Sequence, residues 1–435
     1  MLLVYTPNIT SRIEYIVSYV LGELVGVKYV LTSDLDFFKK QEDAKISYAP
    51  NSESSNHIYS HSLLFETGVK QFDVPINKDE ELPKLFPSEV NAFLNFDVFA
   101  ASFYMISRYE EYLPFKADKH GRFTSDLSKA GKHNFLHKPV VNLWAAELKN
   151  KLQETFSSLE FKERKFQFIN TFDIDNAYAY LGKGFLRNHG AWVRASWTRK
   201  FSENIERVAV WRGKRKDPYD TYDTITTINK KYNLNSIVFF LLGNYSSFDK
   251  NLSHKTELLQ ELIKRLSKEM KIGIHPSYKS NRKPKQIAIE KQRLENILGE
   301  SITSSRQHYL KLSFPSTYRN LIINGIKEDY TLCYADDWGF RAGTCVPFYF
   351  YDLSEELITH LKLFPTTIME ATFRYYLGYR FEKTSTEIEK AIDEVYNVNG
   401  TFISLWHNES LSENSIWKGW SNIYFKMIDY VTQKA

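Results

Sequence analysis

Two cysteines, Cys333 and Cys345, are all that 435 residues contain, and they show no Cys-x-x-Cys spacing. They cannot build a disulfide framework, so the sequence argues for a reducing compartment with both thiols in the core. No run of about 20 apolar residues is present, as a membrane-spanning helix requires. The N-terminus, Met1-Leu2-Leu3-Val4-Tyr5-Thr6-Pro7, has no basic leader followed by an apolar stretch and a small-residue cleavage site; the expected location is therefore cytoplasmic. Strong charge is missing too, because a net +5 favours neither a nucleic-acid binder nor a strongly acidic partner. What is abundant is aromatic: 28 Tyr and 31 Phe suit core packing and, beside polar motifs, the stacking faces of a sugar cleft.

The chain is longer than the roughly 250 to 300 residues that one core organises, so a small and a large domain are expected. Residues 1–125 begin as strand, helix, strand: Leu2 to Tyr5, then Arg12 to Leu24 with Ile13, Ile16, Val17, Val20, Leu21 and Leu24 at helical spacing, then Val27 to Leu31. A further apolar helix runs from Phe96 to Leu113. Residues 126–160 read as a connecting loop and the amphipathic helix Lys138 to Phe156, with Pro139 tolerable in its first turn. Residues 161–435 alternate strand-like and helix-like segments, the signature of a mainly parallel α/β sheet or barrel. The strand candidates are Phe166 to Thr171, Ile237 to Leu242, Ile272 to His275, Ile302 to Arg306, Ile326 to Thr331, Val346 to Tyr351 and Thr401 to Trp406. An irregular barrel of about seven strands fits them better than an eightfold one.

Residues 183–216 interrupt this alternation with Lys183, Arg187, Arg194, Arg199, Lys200, Arg207, Arg212, Lys214, Arg215 and Lys216 against only Glu203 and Glu206. Trp192, Trp197 and Trp211 are interleaved. The segment reads either as a solvated helical insertion or as a surface that contacts an anionic membrane or an acidic or lipid-linked glycan.

In parallel α/β architectures functional groups gather where strands end. Asp173 and Asp175 close the first strand of the large region, His275 the third, Arg306 and His308 the fourth, and His407 the last. Spaced by two, Asp173 and Asp175 point to one side of an extended chain, an arrangement that calls for a cation, a guanidinium or a shared proton. The same pair also fits a strand-end turn in which an Asp caps local amides. His275 with a carboxylate suits a divalent first-row metal, and it also fits a hydrogen-bonded structural role.

This order of motifs resembles the polysaccharide deacetylases of carbohydrate esterase family 4 over residues 160–435. The match consists of a Thr-Phe-Asp strand end (Thr171 to Asp173), a His-loop (His275 to Tyr278), an Arg-bearing strand end (Arg306) and a late Leu-x-His strand (Leu405 to His407). The resemblance implies a distorted (β/α) barrel of about seven strands, a divalent cofactor, usually zinc, and removal of N- or O-acetyl groups from an acetylated sugar or polysaccharide precursor. By it Asp173 is the general base, Asp175 and His275 are metal ligands, Arg306 orients the base and His407 is the general acid. Ile174 separates two aspartates that are adjacent in the family, and Lys279 stands where its second metal His belongs. His308, in a position that is usually Pro, either substitutes as third ligand or hydrogen-bonds the sugar. Asp337-Trp338 weakly matches the fourth motif, with Asp329 or Arg341 as alternatives. Ser277, Tyr278, Tyr309, Arg341 and Trp406 are the candidate substrate contacts. The first 125 or so residues resemble an uncharacterised domain that precedes deacetylase domains in some bacterial proteins associated with surface-polysaccharide gene sets. Two other readings stay open: a catalytically inactive glycan-binding relative, suggested by Lys279 and the spaced Asp pair, and a metal-free hydrolase using that pair, although two carboxylates on one strand flank a sugar poorly.

Overall fold

A computed structural model describes residues 1–42, 44–77, 82–88, 92–197 and 201–434. The N-terminal region holds a parallel sheet of β1 (Leu2–Tyr5), β2 (Tyr29–Thr32), β3 (Lys45–Ala49) and β4 (His57–Tyr59) in the order β2-β1-β3-β4. A two-residue ribbon, β5 (Ile76–Asn77) with β6 (Lys84–Leu85), follows it. The apolar stripe read from Ile13 onward is the buried face of the helix Ser11–Val17 and its wider continuation Ser18–Val25, which ends at Gly26 in the left-handed conformation.

The larger sheet has nine strands: β7 (Gln167–Ile174), β8 (Ser236–Phe240), β9 (Lys271–Ile274), β10 (Ser304–Ser305), β11 (Glu328–Asp329), β12 (Phe348–Asp352), β13 (Leu357–Leu363), β14 (Ile368–Met369) and β15 (Thr401–His407). They lie in the order β12-β13-β11-β10-β9-β8-β7-β15-β14, all parallel except for the antiparallel β12-β13 pair. The expected barrel is corrected here. Among the described residues β14 and β12 are opposite edges and the sheet does not close. The strands β13 and β14 escaped the sequence reading, the first because its burial hardly alternates and the second because two residues carry no period.

The β12 edge is covered by the N-terminal region. Tyr15 donates through its hydroxyl to the carbonyl of Tyr349, Tyr19 donates to that of Val346, and the rings of Tyr15 and Tyr351 lie 5.0 Å apart. Arg12, fully buried, pairs with Glu356 just beyond β12. Edge strands need such cover because their unpaired amides and carbonyls otherwise invite another chain. One apolar core cluster accordingly runs from Leu2 through Val431. Among the described residues no helix is long and apolar enough to cross a membrane. Residues 185–197 and 201–211 form two helices packed on each other; Arg199 and Lys200 of the basic segment lie outside the described residues.

Candidate metal centre

Parallel pairing brings the strand ends together. In the β7-β15 register Asp173 stands beside His407, and alternation along β7 puts Thr171 and Asp173 on one face. Next to them the amide of His275 donates to the carbonyl of Phe240, that of Arg306 to Ile274, and that of His308 to Pro276, which carries the polar groups of β9 and β10 to the same end. Gly273 is required in β9: a Cβ there would come within 2.5 Å of the Phe239 ring and 3.0 Å of the Ser304 carbonyl. The face of Phe239 in turn supports the Arg306 guanidinium, 4.7 Å from the ring centre.

Arg306 is completely buried, and each of its nitrogens is used. Nη1 donates to Asp173 Oδ1 at 2.9 Å and to the Thr171 hydroxyl at 2.7 Å, Nε to the Tyr330 carbonyl, and Nη2 to the Thr366 hydroxyl. Asp173 is thereby locked with Oδ2 left toward the pocket, 3.7 Å from His275 Nε2.

Asp175, His275 and His308 offer ligand atoms that all lie within 4.8 Å of one another. His275 Nδ1 is 2.5 Å from the Arg306 carbonyl, an oxygen that can only accept, so Nδ1 carries a proton and Nε2 is the atom turned toward Asp175 Oδ1, 3.2 Å away. His308 is braced alike: Nδ1 faces Asp249 Oδ1 at 2.9 Å, and Nε2 faces Asp175 Oδ2 at 3.2 Å. Asp249 is itself held by the Tyr278 amide and the Ser246 hydroxyl. Second partners of this kind fix tautomer and ring orientation in metal sites.

The charges support the same reading. Asp173 has Arg306, Asp249 has His308 and Glu370 has His407, but among the described residues Asp175 faces only imidazoles. Its buried Oδ1 has no hydrogen-bond donor. Lone pairs facing lone pairs need a cation between them, a proton or a metal ion. In protein alone the proton serves. Burial disfavours a charge on His308, but Asp175 and Asp249 outweigh it and push the ring up to about 9. Burial likewise raises Asp175, but His308 and His275 hold it well below the usual carboxylate range. One carboxylate and two imidazoles with ordered outer partners fit a first-row divalent ion, which would displace that proton.

Across the pocket His407 points Nε2 at Asp175 Oδ2, 3.7 Å away, while its Nδ1 and backbone amide both meet Glu370 Oε1 at 2.8 Å. Burial pulls this ring down, yet the Glu370 carboxylate reverses the effect and pushes it up to about 10. Glu370 and Asp249 were both missed in the sequence. Glu370 follows the two-residue β14, and Asp249 sits in a loop beyond β8, so neither carries a periodic signal. The pocket over these groups is about 360 Å³ and is walled by Phe248, Tyr309, Tyr375 and Trp417.

The other sequence candidates fall in different places. Tyr309 lines the pocket, and Tyr278 stacks behind Phe248 at 4.2 Å. Ser277 is buried against Glu290, to which its amide and hydroxyl both donate. Trp406 faces away, because β15 alternates: Leu405 and His407 reach the pocket while Trp406 packs edge-on against Tyr424, 5.1 Å away. Arg341 is spent on Glu111 and the Cys333 carbonyl in a buried cluster with Arg108. Asp337 bonds His137, and Asp329 accepts from Ser305 and Thr331 below the pocket. Lys279 is exposed. Ser277, Trp406 and Arg341 thus do not line the pocket, nor do the fourth-motif candidates Asp337 and Asp329, and the carboxylate that meets His407 is Glu370.

A family model described as a family of unknown function, DUF7033, matches residues 2–157. No curated protein matches the chain. Among solved structures, a putative polysaccharide deacetylase from Mycobacterium smegmatis is 12% identical with a TM-score of 0.40, covering 62% of this chain and 85% of its own. A polysaccharide deacetylase from Bacillus cereus is 13% identical with a TM-score of 0.31, covering 62% and 89%. These likenesses are distant, and the chemistry of the pocket is carried by its own geometry.

Proposed function

We propose that the chain is a metal-dependent deacetylase acting on an acetylated sugar or polysaccharide precursor. The observation that carries this reading is the convergence, in one aromatic-walled pocket, of the Asp175-His275-His308 set with a locked carboxylate on one side and a proton-bearing imidazole on the other. Asp175, His275 and His308 would hold the ion, and zinc suits two imidazoles and a carboxylate. When bound, such an ion supplies a Lewis acid that polarises an acyl carbonyl and acidifies water.

The chain's own groups divide the proton work. Asp173 Oδ2 accepts the proton of the attacking water, and Arg306 keeps that carboxylate oriented. His407 Nε2 donates a proton to the departing amine nitrogen or alkoxide oxygen, and Glu370 keeps the ring charged and aimed. Tyr309, Phe248 and Trp417 offer ring faces for a sugar. Asp173 and His407 would touch the reacting groups and Asp175, His275 and His308 the ion; Arg306 acts through Asp173, Asp249 through His308 and Glu370 through His407.

Purified protein loaded with zinc or cobalt is expected to release acetate from acetylated sugars, and Asp175→Ala to abolish release. Undiminished activity in Asp175→Ala would sink the reading. Metal-independent glycan binding with no acetate release would favour a non-catalytic glycan-binding protein instead.

A further inference from the structure

The hairpin of helices Phe185–Trp197 and Phe201–Trp211 buries polar side chains while leaving several large apolar ones exposed. On its second helix Phe201 and Ile205 are 59% and 72% exposed, while Asn204 and Arg207 are buried. Asn204 donates to the Trp192 carbonyl and the Ser196 hydroxyl, and accepts from Arg207, whose guanidinium lies 5.1 Å from the Tyr180 ring centre. Polar residues thus tie the helices together, with Ala195 and Val210 buried beside them, while Phe201 and Ile205 face outward. On the first helix Val193 and Trp197, spaced by four and so on one face, are 46% and 88% exposed, and Trp192 and Trp211 are also exposed. Water disfavours such a face, and contiguous exposed apolar surface marks an interaction site.

Charge says what covers it. Arg212, Lys214, Arg215 and Lys216 follow the second helix, all exposed, with Lys216 paired to Asp223 at 2.6 Å. Of the two acidic residues in the segment, Glu206 is engaged by Arg215, Tyr180 and Asn414. Tryptophan and aliphatic side chains outward, with cations beside them, are the composition of a helix lying in the headgroup region of an anionic bilayer. Helices of 13 and 11 residues are too short to span one. The hairpin also borders a groove that runs from Lys183 and Glu206 to Glu409 and Trp417, and these last two line the metal pocket as well.

We propose that residues 185–197 and 201–216 dock on an anionic lipid surface, setting the mouth of the metal pocket at headgroup level. This docking does not rest on the deacetylase reading. The full-length protein is tested by sedimentation with phosphatidylcholine vesicles, with and without phosphatidylglycerol. Binding is expected only to the anionic vesicles and to weaken with added salt. Phe201→Ser and Ile205→Ser should each lower the partition coefficient about tenfold, and Lys214→Gln roughly fivefold. Because these side chains are exposed, the variants should keep the wild-type melting temperature and metal content. Two results overturn the proposal: vesicle binding that is absent or unchanged in the variants, and a wild-type dimer in sedimentation equilibrium that Phe201→Ser dissociates, which would make a second copy the occupant.

Discussion

Glu370→Gln isolates the electrostatics of the proposed acid. Glutamine keeps an oxygen where Glu370 Oε1 accepts from His407 Nδ1 and from the His407 amide, both at 2.8 Å, so the ring keeps its place and loses only the charge beside it. Burial alone would depress His407, and Glu370 is the largest influence in the opposite direction, ahead of Asp175 and Asp173. A bound divalent ion would offset those two aspartates and leave Glu370 as the main support of the charged ring. A carboxylate at this range shifts an imidazole by roughly 1 to 3 units, so the variant's ring should titrate lower by that amount than the value near 10 reached in the native protein. The sign follows from the role: the protonated ring is the active form, so activity is lost as pH rises through its pKa. In Glu370→Gln the alkaline limb of the kcat/KM profile should therefore move to lower pH by the same 1 to 3 units, with the acid limb unmoved. The shift can also be read without turnover, from the His407 ring resonances in an NMR titration. An alkaline limb and a ring titration both unchanged in Glu370→Gln would refute the assignment of Glu370 as the partner that keeps His407 charged.

Other expectations follow from the same geometry. His308→Gln should lower metal affinity by more than Asp249→Ala, which removes only the brace on Nδ1 and should cost about 10- to 100-fold by competition with a chromogenic chelator. Equal affinity in His308→Gln and wild type would return His308 to a sugar-contacting role. Arg341→Met leaves Glu111 buried and unbalanced except by Arg108, so denaturant unfolding should show a loss of roughly 3 to 5 kcal/mol with metal content intact. Ser277→Ala should cost about 1 to 3 kcal/mol by depriving buried Glu290 of a donor, with KM for the sugar unchanged.

The polar strand ends were legible because strand chemistry is local. Period-two alternation places Asp173 and Asp175 together, and apolar runs mark β7, β8, β9 and β15 whatever surrounds them. The basic, tryptophan-bearing segment at 183–216 was visible for the same reason, as composition. Whether its apolar residues point in or out was not, because helical spacing gives a face without saying which neighbour meets it.

The partners of the imidazoles were hidden for a related reason. Glu370 lies 37 residues before His407 and Asp249 lies 59 before His308, and pairing at such separation depends on which strands become neighbours. The fate of Arg341 was decided likewise by Glu111, 230 residues earlier, in a region that spacing alone does not connect to it. The openness of the sheet is the largest feature of this kind. It follows from β12 turning antiparallel and from the N-terminal tyrosines covering that edge, and both are properties of packing. By itself the sequence determined which residues can bear charge, protons or a metal at the end of a strand. Only the tertiary structure decided which lone pairs face one another, because that depends on ring orientation fixed by residues far away in the chain.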